Sequence, residues 1–149
     1  MANLLGTDKV TQIGIVVKDI EKKRAEWAKL LGVAEPPIIQ TSGFEEAQTY
    51  FEGQPSEATA RLCFFNLGQV AIELIQPDGR PSSWQDHLDR HGESVQHIAF
   101  EVPAMKTARA NLDAEGIRTN QFGEYTGGRY AYVDSLNQLG VHIELLEND

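Results

Sequence analysis

The sequence predicts an α+β domain in which two tandem βαβββ modules share one curved, partly open mixed sheet, and three features of the chain predict it. The first is a repeat. Ser94–Val102 echoes Val10–Val17 across a shift of 85 residues, with Val over Val, Ile over Ile and His97 over Gln12. Both copies alternate apolar and other residues at period two, as a half-buried strand does, and both run into a helical pattern. The second feature is another repeat, in which Val70–Ile75 returns as Val141–Leu146 after 71 residues with Glu73 or Glu144 embedded in an apolar run. The third is that each module holds a single long helical segment among consecutive strands, which favours antiparallel pairing over a parallel βαβ sheet.

Residues 1–8 read as a short frayed arm and Val10–Val17 as the first strand. Asp19 is placed to cap the helix that follows, Ile20, Trp27, Leu30 and Leu31 give it an apolar face, and Gly32 stops it. Pro36-Pro37 bars a helix, so residues 38–41 are expected as a short strand near an edge. From Ser42 to Ser56 the pattern is weak and assigns no element. Strands at 61–66 and 69–76 are joined by Leu67-Gly68, a hairpin-like connection. Turn residues then lead into a short helix over 83–92, with Ser82 or Ser83 as its cap. The second module repeats the order: a strand at 95–102, a helix at 103–115, a short strand at 117–121, a Gly-rich turn at 123–128, and strands at 129–134 and 141–147. This bounds module one at about 9–77, the linker helix at about 78–93 and module two at about 94–148, all within a single domain, 1–149.

The chain's 149 residues suffice for one domain with a substantial core. Its net charge of −9 argues against nucleic acid or an anionic membrane surface as the main partner. No stretch has the pattern of a signal peptide or the roughly 20 apolar residues of a membrane span, so a cytoplasmic protein is expected. The single cysteine, Cys63, lies in the apolar run Leu62-Cys63-Phe64-Phe65 and reads as a small buried hydrophobe.

Four polar residues stand where a structural strand would carry Val or Thr: Gln12, Glu73, His97 and Glu144. Glu144 has Ile143 and Leu145 on the opposite face, Glu73 has Ile72 and Leu74, and Gln12 and His97 stand opposite Ile13 and Ile98. If the apolar face packs on the helices, all four point to the concave side of the sheet. An imidazole, two carboxylates and an amide oxygen make a mixed N/O site for a divalent metal ion such as Co, Ni, Mn or Zn. Any one of them alone is ordinary; the case rests on their recurrence at equivalent places in the two repeats. Such a site suits proton abstraction next to a carbonyl, with Glu144 the better candidate for base. His142, two residues before Glu144, reads as a rim histidine. His87 and His91 read as solvated, and Arg80 and Arg129 are candidate anion contacts.

The duplicated βαβββ order with ligands carried on strands resembles the vicinal oxygen chelate superfamily of glyoxalases, bleomycin resistance proteins and dioxygenases. Within it, Phe64–Arg80, Gln96–Val102 and Gly140–Leu145 are similar to the methylmalonyl-CoA epimerases. The resemblance implies a metal-dependent isomerase with a small-molecule substrate, such as an acyl-CoA, and a homodimer. It also implies metal ligation by Gln12, Glu73, His97 and Glu144, and catalysis by Glu144, Glu73 and Glu57. Glu57 matches the family's second base by its distance to Gly68. The chain departs from the epimerases, which carry His at the position of Gln12 and commonly Gln at that of Glu73. Gln, Glu, His, Glu in this order is similar to eukaryotic glyoxalase I, a lactoylglutathione lyase. Asp134-Ser135-Leu136 replaces the usual His-Pro-Lys, and Ala58-Thr59 also depart. A third expectation, from the same fold, is a binding protein that sequesters an antibiotic without metal chemistry.

Overall fold

A computed structural model describes residues 1–149. Module one runs β1 (Val10–Val16), α1 (Ile20–Leu31), β2 (Ile39–Gln40), α2 (Phe44–Ala47), β3 (Tyr50–Phe51), β4 (Gln54–Pro55), β5 (Ala60–Asn66) and β6 (Ala71–Pro77). Helix α3 (Ser83–His91) links it to β7 (Ser94–Glu101), α4 (Met105–Ala114), β8 (Thr119–Tyr125), β9 (Gly128–Val133), α5 (Leu136–Leu139) and β10 (His142–Asn148). Ten strands form one mixed sheet in the order β2-β5-β6-β1-β7-β10-β9-β8-β3-β4. The modules meet within one chain at the antiparallel pair β1–β7, and each of these strands also has a parallel neighbour, β6 for β1 and β10 for β7. The four central strands are therefore the four that carry the embedded polar residues.

Helices α1 and α4 each cover one half of the sheet's convex face. Ile20 and Ala28 of α1 are buried with Cys63, Phe65, Ile72 and Leu74, while Met105, Ala108 and Leu112 of α4 are buried with Ala131, Val133 and Leu145. Asp19 caps α1 by accepting from the Lys22 N–H at 3.2 Å, and Gly32 ends it at a positive φ of 66°. Leu30, expected on the apolar face of α1, is 74% exposed. The face runs instead through Ile20, Trp27, Ala28 and Leu31, with the stem of Arg24 between them, because Leu30 stands about 100° round from its centre. Burial raises the Cys63 thiol to about 11, as befits the core position expected for it.

Three features differ from the sequence reading. Residues 42–56, which carried no recognisable pattern, form α2 and a small hairpin whose strands have two residues each. This hairpin leaves module one and pairs with β8 of module two, Tyr50 opposite Phe122 and Phe51 opposite Gln121, with the Tyr50 and Phe122 rings stacked at 5.2 Å. Gly123, expected in a turn, lies inside β8, and the turn is Thr126-Gly127. A Cβ there would come within 2.9 Å of the Tyr130 ring, so the glycine makes room for a cross-strand tyrosine. Finally, a single helical turn, α5, precedes the last strand.

Candidate metal centre

The cluster is built by small residues beside large polar ones. On β1, Gly14 is flanked in register by Glu73 of β6 and His97 of β7. A Cβ on Gly14 would stand 1.9 Å from Cε1 of His97, so the imidazole occupies the space a side chain would fill. The equivalent position in module two, Ala99, lies between Gln12 and Glu144. Gly14 and Ala99 thus open a hollow over the two central strands, and the four polar side chains lean into it.

There the structure brings together all four residues expected from the repeats. Gln12 Oε1 is 2.9 Å from His97 Nε2, and Nε2 is 3.3 Å from an oxygen of Glu73 and of Glu144. The ligand atoms of Glu73, His97 and Glu144 all lie within 4.8 Å of one another, and all three residues are buried. The Gln12 amide has two settings. With its NH₂ inward it would donate to His97, Glu73 and Glu144 at 2.9, 3.1 and 2.9 Å; with its oxygen inward, that oxygen shares a small space with two carboxylate oxygens. The second setting is favourable only with a positive charge among the oxygens, either a cation or a proton on His97. The 2.9 and 3.3 Å separations from His97 Nε2 fit an ion bound at about 2.0–2.2 Å, which sets neighbouring ligands roughly 2.8–3.6 Å apart. Glu73, His97 and Glu144 therefore form a buried cluster that could hold a divalent metal.

Charges within the cluster are strongly coupled. Burial pushes the His97 imidazole down, but Glu144 and Glu73 together outweigh it and hold the group up at about 10. Burial raises the Glu73 carboxyl, opposed by His97 and reinforced by Glu144. Without an ion, the proton on His97 takes the place of one.

One residue that sequence reasoning missed sets the histidine. The β1–β7 register slips between Gly14/His97 and Ile15/Val95, a β-bulge that leaves Gln96 unpaired and turns both Gln96 and His97 inward. Gln96 Oε1 lies 2.8 Å from His97 Nδ1, so Nδ1 carries the hydrogen and Nε2 faces the cluster. The Gln96 amide is itself fixed by donating to Ser83 Oγ, while the Ser83 N–H donates to Gln121, at the start of α3. Gln96→Leu is expected to leave the fold intact and weaken metal affinity by about 10–100-fold, read by competition with a chromophoric chelator.

Other expected residues lie elsewhere. Glu57 does not reach the cluster: its carboxylate accepts from the Phe44 N–H at 3.4 Å, and it lines a separate small cavity with Arg80. Arg80 donates to the Glu57 carbonyl, and Arg129 is bound to Glu147 and Asp149, so both are engaged away from the centre. His87, read as solvated, is 4% exposed; its ring lies 4.7 Å from that of His91 and 5.7 Å from that of His142. His142 accordingly packs under α3 and not at the rim of the site. Burial, with His91 and His142, lowers His87 to about 4. Its unfolded value is near 6.5, so the unfolded chain takes up a proton first as pH falls. The stability this contributes is complete above about pH 6.5 and lost toward pH 4. Wild type is expected to lose about 2 kcal/mol more than His87→Gln across that window in urea unfolding.

Above the cluster opens a cavity of about 900 Å³, lined by Gln12, Glu73 and Glu144 at its floor. Trp84, Tyr130 and Tyr132 form an aromatic wall in which Trp84 Nε1 donates to Tyr132 Oη at 2.9 Å, and Phe64 lines the cavity from β5. His97, with no exposed surface, closes the floor, so the cluster is open toward the cavity alone.

A curled mixed sheet of two βαβββ halves, with buried ligand-type side chains on its four central strands, defines the vicinal oxygen chelate fold. The family model described as Glyoxalase/Bleomycin resistance protein/Dioxygenase superfamily matches residues 11–133, and the chain belongs to that superfamily. Over 143 residues it is 25% identical to the uncharacterized protein YqjC of Bacillus subtilis, covering 94% of this chain and 92% of that one. Among solved structures, it is similar to methylmalonyl-CoA epimerase from Mycobacterium tuberculosis, with a TM-score of 0.65 at 19% identity over 100% of this chain and 93% of that one. It is also similar to a Streptomyces coelicolor methylmalonyl-CoA epimerase in complex with 2-nitronate-propionyl-CoA, with a TM-score of 0.63 at 18% identity over 94% and 96% of the two chains. A hypothetical protein from Bacillus halodurans C-125 matches with a TM-score of 0.65 at 17% identity, over 95% and 94%. These likenesses establish a shared fold. No helix of the chain is long and apolar enough to cross a membrane.

Proposed function

We propose that the central cavity is the active site of a metal-dependent isomerase or epimerase that removes a proton from the carbon next to a carbonyl and returns it to the other face or to a neighbouring carbon. The observation that carries this reading is the convergence of Gln12, Glu73, His97 and Glu144 on one point at the floor of an open cavity. A binding protein with no chemistry to perform has no use for two buried carboxylates against a histidine.

A divalent ion held by these four residues would supply Lewis-acid stabilisation of the developing enolate. The chain's own residues do the rest. Glu144 accepts the proton from the α-carbon while the C–H electron pair moves toward the carbonyl oxygen; in an isomerisation it gives the proton to the neighbouring carbon, and in an epimerisation Glu73, the other carboxylate at the floor, delivers a proton to the opposite face of the enolate. Glu73 and Gln12 hold the site's geometry from β6 and β1. Gln96 keeps the Nδ1 hydrogen of His97 turned away from the cavity, and Trp84, Tyr130 and Tyr132 exclude water from one side. A homodimer is part of the same proposal, taken from the family resemblance.

The test is deuterium incorporation at the α-carbon in D₂O with added Co²⁺, across methylmalonyl-CoA, the methylglyoxal–glutathione hemithioacetal and dihydroxyacetone. Exchange with any of them that depends on the metal supports the reading, and which compound exchanges separates an epimerase from a glyoxalase. Bound metal with no exchange anywhere puts the sequestering protein first.

A further inference from the structure

The cavity has no cation in its wall. Among the residues that line it are the carboxylates Glu46, Glu73, Glu101, Glu124 and Glu144, and none is Lys, Arg or His. A divalent ion would neutralise Glu73 and Glu144, leaving Glu46 and Glu101 at the rim; Glu124 stands opposite Arg129 in the β8–β9 register, on the face away from Tyr130 and Tyr132. Nearby basic side chains are paired: Lys9 with Glu101 at the rim itself at 2.9 Å, and, away from the cavity, Arg61 with Glu21 at 2.7 Å and Arg129 with Glu147 and Asp149. Only the Lys9–Glu101 pair touches the rim, and it contributes no net charge there. Ser42 Oγ donates to Glu46 at 3.0 Å, which fixes that carboxylate at the cavity edge without neutralising it.

We infer that the substrate of this site carries no negative charge: it is an uncharged or cationic carbonyl compound with a flat apolar portion, not an acyl-CoA or a glutathione adduct. This rests on the metal-dependent reading above and narrows its substrate. Low-dielectric walls lined by one sign of charge focus the potential inside a cleft, so an anion meets repulsion on approach and finds no donor fork on arrival. A coenzyme A ester brings several phosphate charges, and methylmalonyl adds a carboxylate. Phe64, Trp84, Tyr130 and Tyr132 offer a neutral planar group stacking and edge contacts, and a cation would gain both from these rings and from the rim carboxylates. Gln40, Thr41, Ser42 and Thr49, also in the lining, supply neutral hydrogen-bonding groups, Thr49 beside Tyr130.

Three catechols with the same chelating oxygens and different charge test this: 4-methylcatechol, dopamine and 3,4-dihydroxybenzoate, each titrated calorimetrically into Co²⁺-loaded protein at low and at 0.5 M salt. At low salt the neutral and cationic compounds are expected to bind at least ten-fold more tightly than the benzoate, with the gap shrinking in high salt. Glu46→Gln is expected to tighten benzoate binding several-fold and leave 4-methylcatechol unchanged. Equal or tighter binding of the benzoate, or no binding by any of the three, overturns the inference. Failure of Co²⁺ to load counts against the metal-dependent reading instead, and the charge preference is then read with the same compounds on metal-free protein, where the same ordering is required.

Discussion

Glu144→Gln is expected to lower metal-dependent α-proton exchange by about 10³-fold while retaining the metal, because an amide oxygen can still ligate but cannot accept a proton. Its position supports the base role. The carboxylate is buried, faces the cavity floor and lies 3.3 Å from His97 Nε2, close enough to share in binding an ion while one side stays open to the cavity. The substitution preserves shape, so KM should change little and kcat should carry the loss, the pattern of an interaction made only in the transition state. Glu73→Gln is the informative partner. A comparable fall there, with Glu144→Gln still active, would move the base from β10 to β6.

Gly14→Ala is the second large effect expected, and it involves no charge at all. The added methyl would sit 1.9 Å from His97 Cε1, a distance no pair of carbon atoms tolerates, so the imidazole has to leave the cluster or β1 has to shift. Overpacking of this kind in a tight interior should cost about 3 kcal/mol, and metal affinity should fall at least 100-fold. Thermal melting and chelator competition on the same samples separate the two consequences. His97→Ala in the Gly14→Ala background should recover much of the stability and none of the metal binding, since it removes the clash and the ligand together.

The cluster could be read from the chain because the period-two rule assigns faces reliably where a strand's apolar side is uninterrupted. Gln12, Glu73, His97 and Glu144 each broke an apolar run at equivalent places in a repeat, and the central strands carried them to one point. Gln96 was hidden by the same rule. Strict alternation sends it to the face opposite His97, and only the bulge at Val95–His97 brings both inward. The hairpin at Tyr50–Pro55 was illegible because two-residue strands hold too few residues for any period, and its partner, β8, lies in the other module. His87 looked solvated from the polar residues around it on α3. Its burial comes from His142 and Ser94, which no local pattern places beside it. The charge of the cavity was beyond the sequence for a related reason: Glu46 and Glu101 come from separate segments and line one cavity only when the sheet curls.

The measurement that bears most directly on the account is the metal content of protein purified without an affinity tag, by plasma mass spectrometry, for wild type and for Glu73→Ala/Glu144→Ala. A metal centre at these residues requires about one divalent ion per chain in the wild type, either as isolated or after loading with Co²⁺ and desalting, and almost none in the variant, with both folded by circular dichroism. Equal retention by the two proteins, or none by the wild type after loading, would contradict it.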